Sequence, residues 1–402
     1  MRNTQMSAYF AKLQTALAIA DLAEPVLLLD RQRLDKNIKQ LKRMLPKNMA
    51  YRIVAKSLPS APLLKHIADK AGTDRLMSFN RVMTEQLLAA MPKADQLLGK
   101  PLPVAAVAAM FAALPASKGK QAARQVQWLV DTPARLKQYE ALAAKLKLKL
   151  RVNLEIDVGL HRGGMIPGSD ANNDLDAALA LLAKSRHLGL AGYLGYEPHL
   201  SKIPNLGGWR RRAKKGAAQA YAAALAQGRA HFSAAHIDAM VRNMAGSPTF
   251  GLYQNTALAN ELAAGSALVK PGDFDLPILK DFEPAAFIAT PALKVSQDVR
   301  LPALEYANKI LGKPKSGTGI FIHGGYWMAD AVWPKGLKTS GFFGRSSNQE
   351  FLLGPKSLPL KTDAFVFLRP TQSEAIFLQF PKIAVFDGRR ICDIWQPLPV
   401  SA

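Results

Sequence analysis

The sequence predicts an α/β protein in which a (β/α)8 TIM-like barrel is followed by a C-terminal β domain. From residue 50 to about 270, short β-rich runs alternate with helical stretches rich in alanine and leucine, the pattern of repeated βα units. Eight such units over about 220 residues suit this barrel, for which ~250 residues is typical. After about residue 275 the helical periodicity fades, and short strands separated by glycine and proline follow.

Eight barrel strands are predicted from the apolar runs. They cover residues 51–56, 75–79, 95–99, 126–130, 150–157, 189–196, 239–245 and 265–269. The earlier run VLLLD (26–30) is predicted to lie outside the barrel itself. We therefore expect an N-terminal segment at 1–24, a barrel domain at 25–275 and a β domain at 276–402.

Composition excludes several classes of protein. The 402 residues suffice for two cores, and no apolar run reaches the roughly 18 residues that a membrane helix needs. The single cysteine, Cys392, excludes an intrachain disulfide and suits a reducing compartment. We therefore expect a cytoplasmic protein without a membrane partner.

The chain is strongly basic, with 53 lysines and arginines against 30 acidic residues and a net charge of +23. Such a charge attracts anions, nucleic acid among them. However, the bases are scattered along amphipathic segments, and the one dense run, WRRRAKKG (209–216), lacks zinc-knuckle spacing and interleaved aromatics. A solvated basic surface is the favoured interpretation, and nucleic-acid binding is the alternative.

Polar residues follow several of the predicted strands, at the carboxyl edge where such barrels carry their reactive groups. Lys56 ends the first strand, YRIVAK. The others are Asp157, His161 and Arg162 in LEIDVGLHRGG, Tyr196 and His199 in GYEPH, Gly246, Ser247 and Thr249 in NMAGSPTFG, and Glu261 further on. Their order along the chain, each at a strand end, predicts one shared site.

These residue types suit pyridoxal phosphate chemistry. A lysine in an apolar setting can present a neutral amine that forms a Schiff base. A small-residue loop can offer N–H groups and hydroxyls to a phosphate. An arginine beside the ring nitrogen cannot give up a proton, so it would keep that nitrogen unprotonated.

Each residue also has a plainer interpretation. Lys56 can simply extend to the surface, and Arg162 can pair with a nearby acid such as Asp157. The AGSPT segment can be an ordinary turn, and His199 a packed or exposed histidine without a catalytic role.

The sequence resembles the fold-type III pyridoxal-phosphate enzymes of the D-threonine aldolase and D-serine dehydratase-like group, relatives of alanine racemase. EPVLLLDRQRLDKNIKQL resembles their opening segment, VAKS their cofactor-lysine strand, and EIDVGLHRGG their xIDtGxxRxG motif. GYLGYEPH resembles GxxxYxGH, and NMAGSPTF resembles the GGSPT phosphate loop. The resemblance runs from about residue 24 to the C-terminus.

The resemblance implies a role for each matched residue. Lys56 would be the Schiff-base residue, and Arg162 would face the pyridine nitrogen. Tyr196 and His199 would be active-site residues. The phosphate would be bound by Gly246, Ser247 and Thr249. A homodimer is also implied, in which the C-terminal domain of one subunit covers the barrel mouth of the other.

One stretch departs from the family pattern. The family's lyases hold a divalent metal with a C-terminal PxHxC or PxHxD pair, whereas this chain has RPTQSEAIF, with Gln372 and Glu374 in those positions. Because glutamine is a poor zinc ligand and oxygen donors suit harder ions, we predict magnesium or manganese rather than zinc for any metal here. Alternatively, both side chains simply form hydrogen bonds within the β domain. Glu350 stands where relatives carry SxEHG.

Together these features predict a pyridoxal-phosphate-dependent lyase that acts at Cα or Cβ of small D-amino acids, of the D-threonine aldolase or D-serine dehydratase type. Lys56, once released by the substrate amine, would act as acid or base at Cα. An amino-acid racemase is one alternative. A non-catalytic, regulatory protein that retains the cofactor site is the other.

Overall fold

The computed structural model describes residues 2–168, 173–204, 206–297, 299, 317–341, 343–356 and 358–400. The chain forms two compact units. The unit that we call the barrel unit comprises Ile38–Leu268, Leu276–Asp281 and Leu398–Ala402. The other, which we call the sheet unit, comprises Met1–Asn37, Val269–Asp275 and Phe282–Pro397.

Strand β1 (Val26–Asp30) belongs to the sheet unit, and the next eight strands form the barrel. They are β2 (Ala50–Val54), β3 (Arg75–Ser78), β4 (Asp95–Leu98), β5 (Val126–Val130), β6 (Leu150–Ile156), β7 (Leu188–Gly195), β8 (Val241–Met244) and β9 (Glu261–Ala264). Each is parallel to the next, and β2 closes the barrel against β9. The predicted (β/α)8 barrel is therefore confirmed.

Seven of the predicted barrel strands match an observed strand closely, and the eighth was wrong. Residues 265–269, predicted to be a strand, contain the 3-10 turn Ser266–Leu268, whereas β9 lies just before it. The error arose because β9 begins with a charged residue, Glu261, which the apolar pattern does not predict to be buried. All four residues of β9 are buried.

Twelve helices are described, and most connect consecutive barrel strands. They are α1 (Arg2–Ile19), α2 (Arg31–Met44), α3 (Ala61–Ala71), α4 (Arg81–Ala90), α5 (Val104–Ala113), α6 (Ala116–Gln125), α7 (Pro133–Leu146), α8 (Asp174–Lys184), α9 (His199–Lys202), α10 (Trp209–His231), α11 (Ala234–Ala239) and α12 (Ser373–Phe377). Local signals set their ends. Asn80 caps α4 by accepting from the Met83 N–H, and α3 ends at Gly72, which has a φ of 73°.

Among its described residues, the sheet unit contains nine strands, β1 among them, as predicted for a β domain and for a run outside the barrel. The others are β10 (Ala286–Ser296), β11 (Thr318–His323), β12 (Ala329–Trp333), β13 (Lys338–Thr339), β14 (Gln349–Gly354), β15 (Phe365–Pro370), β16 (Ile383–Phe386) and β17 (Ile391–Trp395). The strand order is β13-β14-β11-β10-β1-β16-β17, and β15 pairs with both β10 and β12. Strand β1 is antiparallel to β10 and parallel to β16.

Helix α1 closes the core of the sheet unit. Its buried side chains Phe10, Leu13 and Leu17 belong to one apolar cluster with residues of β1, β10, β15 and β16. Both ends of the chain thus contribute to one core, while the domain limits expected from the sequence stay predictions. Within the described ranges, no helix combines the length and the apolar character required to cross a membrane.

Candidate functional site

Lys56 lies where the sequence predicts it, directly after the first barrel strand. Strand β2 runs into the 3-10 turn Ala55–Ser57, and the buried flanking residues Ala55 and Ser57 fix the turn. The Lys56 side chain is half-buried, and its Nζ lies 5.0 Å from the centroid of the Phe79 ring, just after β3. An ammonium at this distance from a ring face gains a cation–π attraction, which holds the side chain over the barrel mouth.

The loop after β6 is organised by Asp157. Its Oδ1 accepts from the backbone N–H groups of Gly159 (2.9 Å) and His161 (3.1 Å), and its Oδ2 lies 2.8 Å from His161 Nδ1. Burial alone would raise the pKa of Asp157, but these hydrogen bonds hold it below its usual range. Gly164, with a φ of 93°, leaves no room for a Cβ, which would lie 2.8 Å from the Asp157 nitrogen.

Arg162 and Tyr196 are brought together from the ends of β6 and β7. The exposed Arg162 guanidinium carbon lies 5.4 Å from the centroid of the Tyr196 ring. The Tyr196 ring also lies against Gly246 in the loop after β8, because a Cβ added to Gly246 would lie only 2.6 Å from Tyr196 Cε2. Tyr196 therefore packs between the arginine and the loop after β8.

His199, the first residue of α9, lies beside the Asp157 loop, since a Cβ on Gly159 would be 3.8 Å from its Nε2. Burial, and then the nearby His161, lower the pKa of His199, while Asp157 acts in the opposite direction. The imidazole is therefore neutral near pH 7. Its buried Nδ1 has no hydrogen-bond partner among the residues that the structure describes.

The AGSPT segment forms a compact loop after β8. The Gly246 N–H donates to Thr249 Oγ1 (3.1 Å), and the Thr249 N–H donates back to the Gly246 carbonyl (2.9 Å). The Ser247 Oγ accepts from the N–H groups of Gly265 and Ala267, each at 3.0 Å. With both bonds accepted, the Ser247 hydroxyl still has its own proton to donate.

A further contact joins this loop to the lysine turn. The Ser266 hydroxyl lies 3.0 Å from that of Ser57, the residue after Lys56. Because Ser247 binds the two neighbours of Ser266, contacts run from the AGSPT loop through the turn after β9 to the Lys56 turn. The predicted residues of the barrel therefore surround one mouth, at the carboxyl ends of the strands.

Glu261 is the exception, and its predicted place at the reactive edge was wrong. It begins β9, inside the barrel, where its Oε1 lies 2.6 Å from Arg52 Nε and its Oε2 lies 2.7 Å from Arg75 Nη1. Burial alone would raise the pKa of Glu261, but Arg52 and Arg75 lower it. Its role is to balance the buried Arg52 and the partly exposed Arg75.

Sequence reasoning missed Glu197, between Tyr196 and His199. This side chain is fully buried, and its Oε2 accepts from the Ala245 N–H at 3.2 Å. Burial raises the pKa of Glu197, and the Thr249 hydroxyl and the Ala245 N–H partly offset the rise. The available signal was its place in the middle of the GYEPH motif, since an acidic residue directly after a buried strand needs a partner. Phe79 and the turn Gly265–Ala267 were missed because they carry no reactive group.

The barrel mouth fits pyridoxal phosphate. Lys56 supplies an amine, Arg162 supplies a permanent positive charge, and the AGSPT loop supplies the hydroxyl proton of Ser247. Gly246 is required where it stands, because Tyr196 occupies the space of a side chain.

The metal prediction is not supported by the donor set. Gln372, at the start of α12, donates from Nε2 to Asp273 Oδ2 at 3.2 Å, and Glu374 lies in the first turn of that helix. Across the described part of the chain, no three His, Cys, Asp or Glu side chains form a group that could hold a metal ion. The buried Glu350 accepts from the Tyr326 N–H (2.8 Å) and pairs with Arg345. We therefore derive no step through a metal.

Comparisons with known proteins agree with the fold. Residues 29–271 match the family model for the alanine racemase N-terminal domain. No curated protein sequence matches the chain significantly.

Solved structures share the fold over nearly the whole chain. D-threonine aldolase from Filomicrobium marinum is 17% identical with a TM-score of 0.69, covering 92% of this chain and 94% of that one. D-threo-3-hydroxyaspartate dehydratase from Delftia sp. HT23 is 16% identical, with a TM-score of 0.70 and coverage of 94% and 98%. Alanine racemase from Clostridium difficile 630 is 14% identical, with a TM-score of 0.68 and coverage of 92% and 98%.

Proposed function

Because this chain belongs to the alanine racemase N-terminal domain family, we propose that it is a pyridoxal-phosphate enzyme that acts on D-amino acids. Within that class we propose a lyase acting on β-hydroxy D-amino acids. The similarity in fold to an aldolase of D-threonine and a dehydratase of D-threo-3-hydroxyaspartate supports this choice. The family resemblance also supports a homodimer, which sedimentation of the purified protein would test.

The observation that carries the proposal is the run of contacts around the barrel mouth. Ser57, next to Lys56, touches Ser266, and the two neighbours of Ser266 donate to Ser247 in the AGSPT loop. An amine that can bond an aldehyde and a loop that can bind a phosphate are thereby linked through the turn after β9, the strand that lies between β8 and β2 in the barrel. This is the pair of functions that pyridoxal phosphate requires of its protein.

The residues of the mouth have distinct tasks in this proposal. When bound, pyridoxal phosphate withdraws electrons from the bonds at Cα of an amino acid joined to its aldehyde carbon. Lys56 bonds the cofactor and then, once released, holds or returns a proton at Cα. Arg162, fixed against Tyr196, stays charged and donates to the ring nitrogen without protonating it. The AGSPT loop orients the phosphate.

His199 suits the task of accepting a proton from the substrate β-hydroxyl. Its lowered pKa keeps the imidazole neutral at pH 7, so that it can act as a base. The buried Nδ1, without a hydrogen-bond partner in the described ranges, leaves the ring able to take either tautomer.

The first test is the absorption spectrum of the purified protein before and after borohydride treatment. We expect a visible band that borohydride removes, with the reduced cofactor attached to Lys56 in peptide maps. Lys56→Ala should abolish the band and the activity, whereas the exposed Lys65→Ala on α3 should leave both unchanged. Attachment to another lysine, or no band in the native protein, would contradict the assignment.

Racemisation is the second candidate, and one observation favours it. The donors at Gln372 and Glu374 do not assemble the metal site that polarises a β-hydroxyl in the family's lyases. Incubation with D-threonine and D-serine distinguishes the outcomes. An aldehyde or a 2-oxo acid indicates a lyase, whereas deuterium exchange at Cα with formation of the L-isomer indicates a racemase. Bound cofactor without either reaction would indicate a regulatory protein.

A further inference from the structure

We propose that Glu197 is a positioning residue for the cofactor phosphate, because its buried carboxyl holds Ala245 in the strained conformation that shapes the AGSPT loop. This inference rests on the proposed function, since it takes the loop to be the phosphate site. It assigns a task to a residue that contacts neither the reacting atoms nor the phosphate itself.

The first observation is the backbone of Ala245, the residue that opens the loop. Its φ is 69°, in the left-handed region, where the Cβ of an L-residue crowds the following carbonyl. A glycine would take this conformation without steric cost, whereas an alanine needs surrounding structure that enforces it. Ala245 is buried, so that the enforcing contacts must come from the protein.

Glu197 supplies such a contact. Its Oε2 accepts from the Ala245 N–H at 3.2 Å, and neither residue is exposed. The residue before it, Tyr196, packs on Gly246, so the end of β7 holds two consecutive residues of the loop. Losing the acceptor would leave a buried N–H unpaired in a conformation that is already unfavourable.

The charge state of Glu197 suits a place behind an anion site. Burial raises its pKa, and the hydroxyls of Thr249 and Tyr253 are among the groups that lower it again. A neutral carboxyl can accept from the Ala245 N–H without repelling a phosphate on the other side of the loop. Its second oxygen, Oε1, is buried and forms no hydrogen bond among the described residues.

The other end of the loop is held differently. Ser247 is held by the N–H groups of Gly265 and Ala267, and Thr249 by that of Gly246. Those bonds involve side chains within the loop, whereas Glu197 lies outside it. A substitution of Glu197 therefore alters the backbone conformation of the loop without removing any group that could bind the phosphate.

The test compares pyridoxal phosphate with pyridoxal, which lacks the phosphate but can still bond Lys56. Dissociation constants of both are measured by absorbance for the full-length protein and for Glu197→Ala, Glu197→Gln, Ala245→Gly and the Glu197→Ala/Ala245→Gly double variant. Glu197→Ala should weaken pyridoxal phosphate about tenfold, as for one lost buried hydrogen bond, and pyridoxal by less than about twofold. Glu197→Gln, which retains an acceptor, should stay within about threefold of the native protein.

The double variant decides whether the effect acts through Ala245. Glycine takes the left-handed conformation unaided but keeps the unpaired N–H, so part of the tenfold loss should disappear in the double variant. Thermal unfolding provides a second readout without the cofactor. Inorganic phosphate should raise the unfolding temperature of the native apoprotein more than that of the Glu197→Ala apoprotein. If Glu197→Ala does not fold, Glu197→Gln is compared with the Glu197→Gln/Ala245→Gly double variant in the same assays. The loss of affinity for pyridoxal phosphate should then be smaller in the double variant than in Glu197→Gln.

Equal weakening of both ligands in Glu197→Ala, or no recovery in the double variant, would overturn the inference while leaving the proposed function intact. Failure of the native protein to bond pyridoxal phosphate would overturn the proposed function and this inference with it. Whether the native protein bonds pyridoxal phosphate therefore distinguishes the two failures.

Discussion

The two ends of the barrel treat their buried polar groups in opposite ways. Toward the amino ends of the strands, the fully buried Arg52 lies 2.6 Å from Glu261 and 2.8 Å from Asp95, and it also donates to the Leu76 carbonyl. At the carboxyl ends, Glu197 Oε1 and His199 Nδ1 are buried without partners in the part of the chain that the structure describes.

The pKa shifts of Asp95 at one end and of Glu155 and Glu197 at the other follow the same division, whereas hydrogen bonds hold the pKa of Asp157 at the mouth below its usual range. Burial alone would raise the pKa of Asp95, but Arg52 and Arg151 hold it below its usual range. At the mouth, burial raises the pKa values of Glu155 and Glu197; Asp131 raises that of Glu155 further and Arg162 opposes the rise, while hydrogen bonds oppose it at Glu197. Paired charges thus stabilise the amino-end cluster around Arg52, whereas carboxyl groups at the mouth can change protonation.

The largest expected effect breaks the paired end. Arg52→Ala should lower the free energy of unfolding by about 3–5 kcal/mol, because the buried Glu261 carboxylate loses its buried partner and keeps only the partly exposed Arg75. Urea unfolding of the apoprotein measures this. The control is Lys36→Ala, which removes an exposed pair with Glu283 and should cost less than about 1 kcal/mol. Equal effects of the two variants would refute the contrast between buried and exposed pairs.

A smaller effect is expected at the mouth. Ser247→Ala should weaken the binding of pyridoxal phosphate by about 1–3 kcal/mol, because it removes a hydroxyl donor and the acceptor for two backbone N–H groups. Equilibrium dialysis measures the change, with the exposed Ser117→Ala on α6 as the matched control. Unchanged affinity in Ser247→Ala would show that the phosphate lies elsewhere.

The smallest expected effect concerns how the free energy of unfolding depends on pH, which should differ in sign between carboxyl groups at the two ends of the barrel. Folded Glu197 keeps its proton above the unfolded pKa of about 4.3, so the free energy of unfolding falls as the pH rises from there to its raised pKa. Asp95 has the opposite sign, because its stabilisation is present above its unfolded pKa and is lost as the pH falls through its lowered pKa.

Urea unfolding of the apoprotein between about pH 2 and pH 8 tests these signs. Relative to the native protein, Glu197→Gln should lose less stability as the pH rises, and Asp95→Asn should lose less as it falls. The native protein is the reference for both variants. Identical pH profiles in all three proteins would mean that neither carboxyl has the protonation described here.

The barrel and the reactive edge could be predicted because apolar runs determine where each strand ends. Lys56, Arg162 and His199 follow such runs, so their side chains had to meet at one edge. Glu261 could not be placed in this way, because its partner Arg52 is 209 positions away in the sequence. A charged residue at the start of a short strand resembles a loop residue until that partner is known.

Glu197 was missed for a related reason. Its burial depends on Ala245, Thr249 and Tyr253, which come from a different βα unit. The strain at Ala245 is also invisible in the sequence, where alanine carries no sign of a positive φ. Burial and backbone strain that arise from contacts between distant segments cannot be predicted from local sequence patterns.

The pairing of β1 has a consequence for the order in which the protein folds during synthesis. Val26 in β1 pairs with Ala289 in β10, roughly 260 residues later, and at ribosomal rates of ~5–20 residues per second that partner emerges tens of seconds afterwards. The VLLLD segment and the apolar side chains of α1 therefore wait without their sheet while the barrel strands emerge. We expect this interval to be the one in which the nascent chain depends most on chaperones.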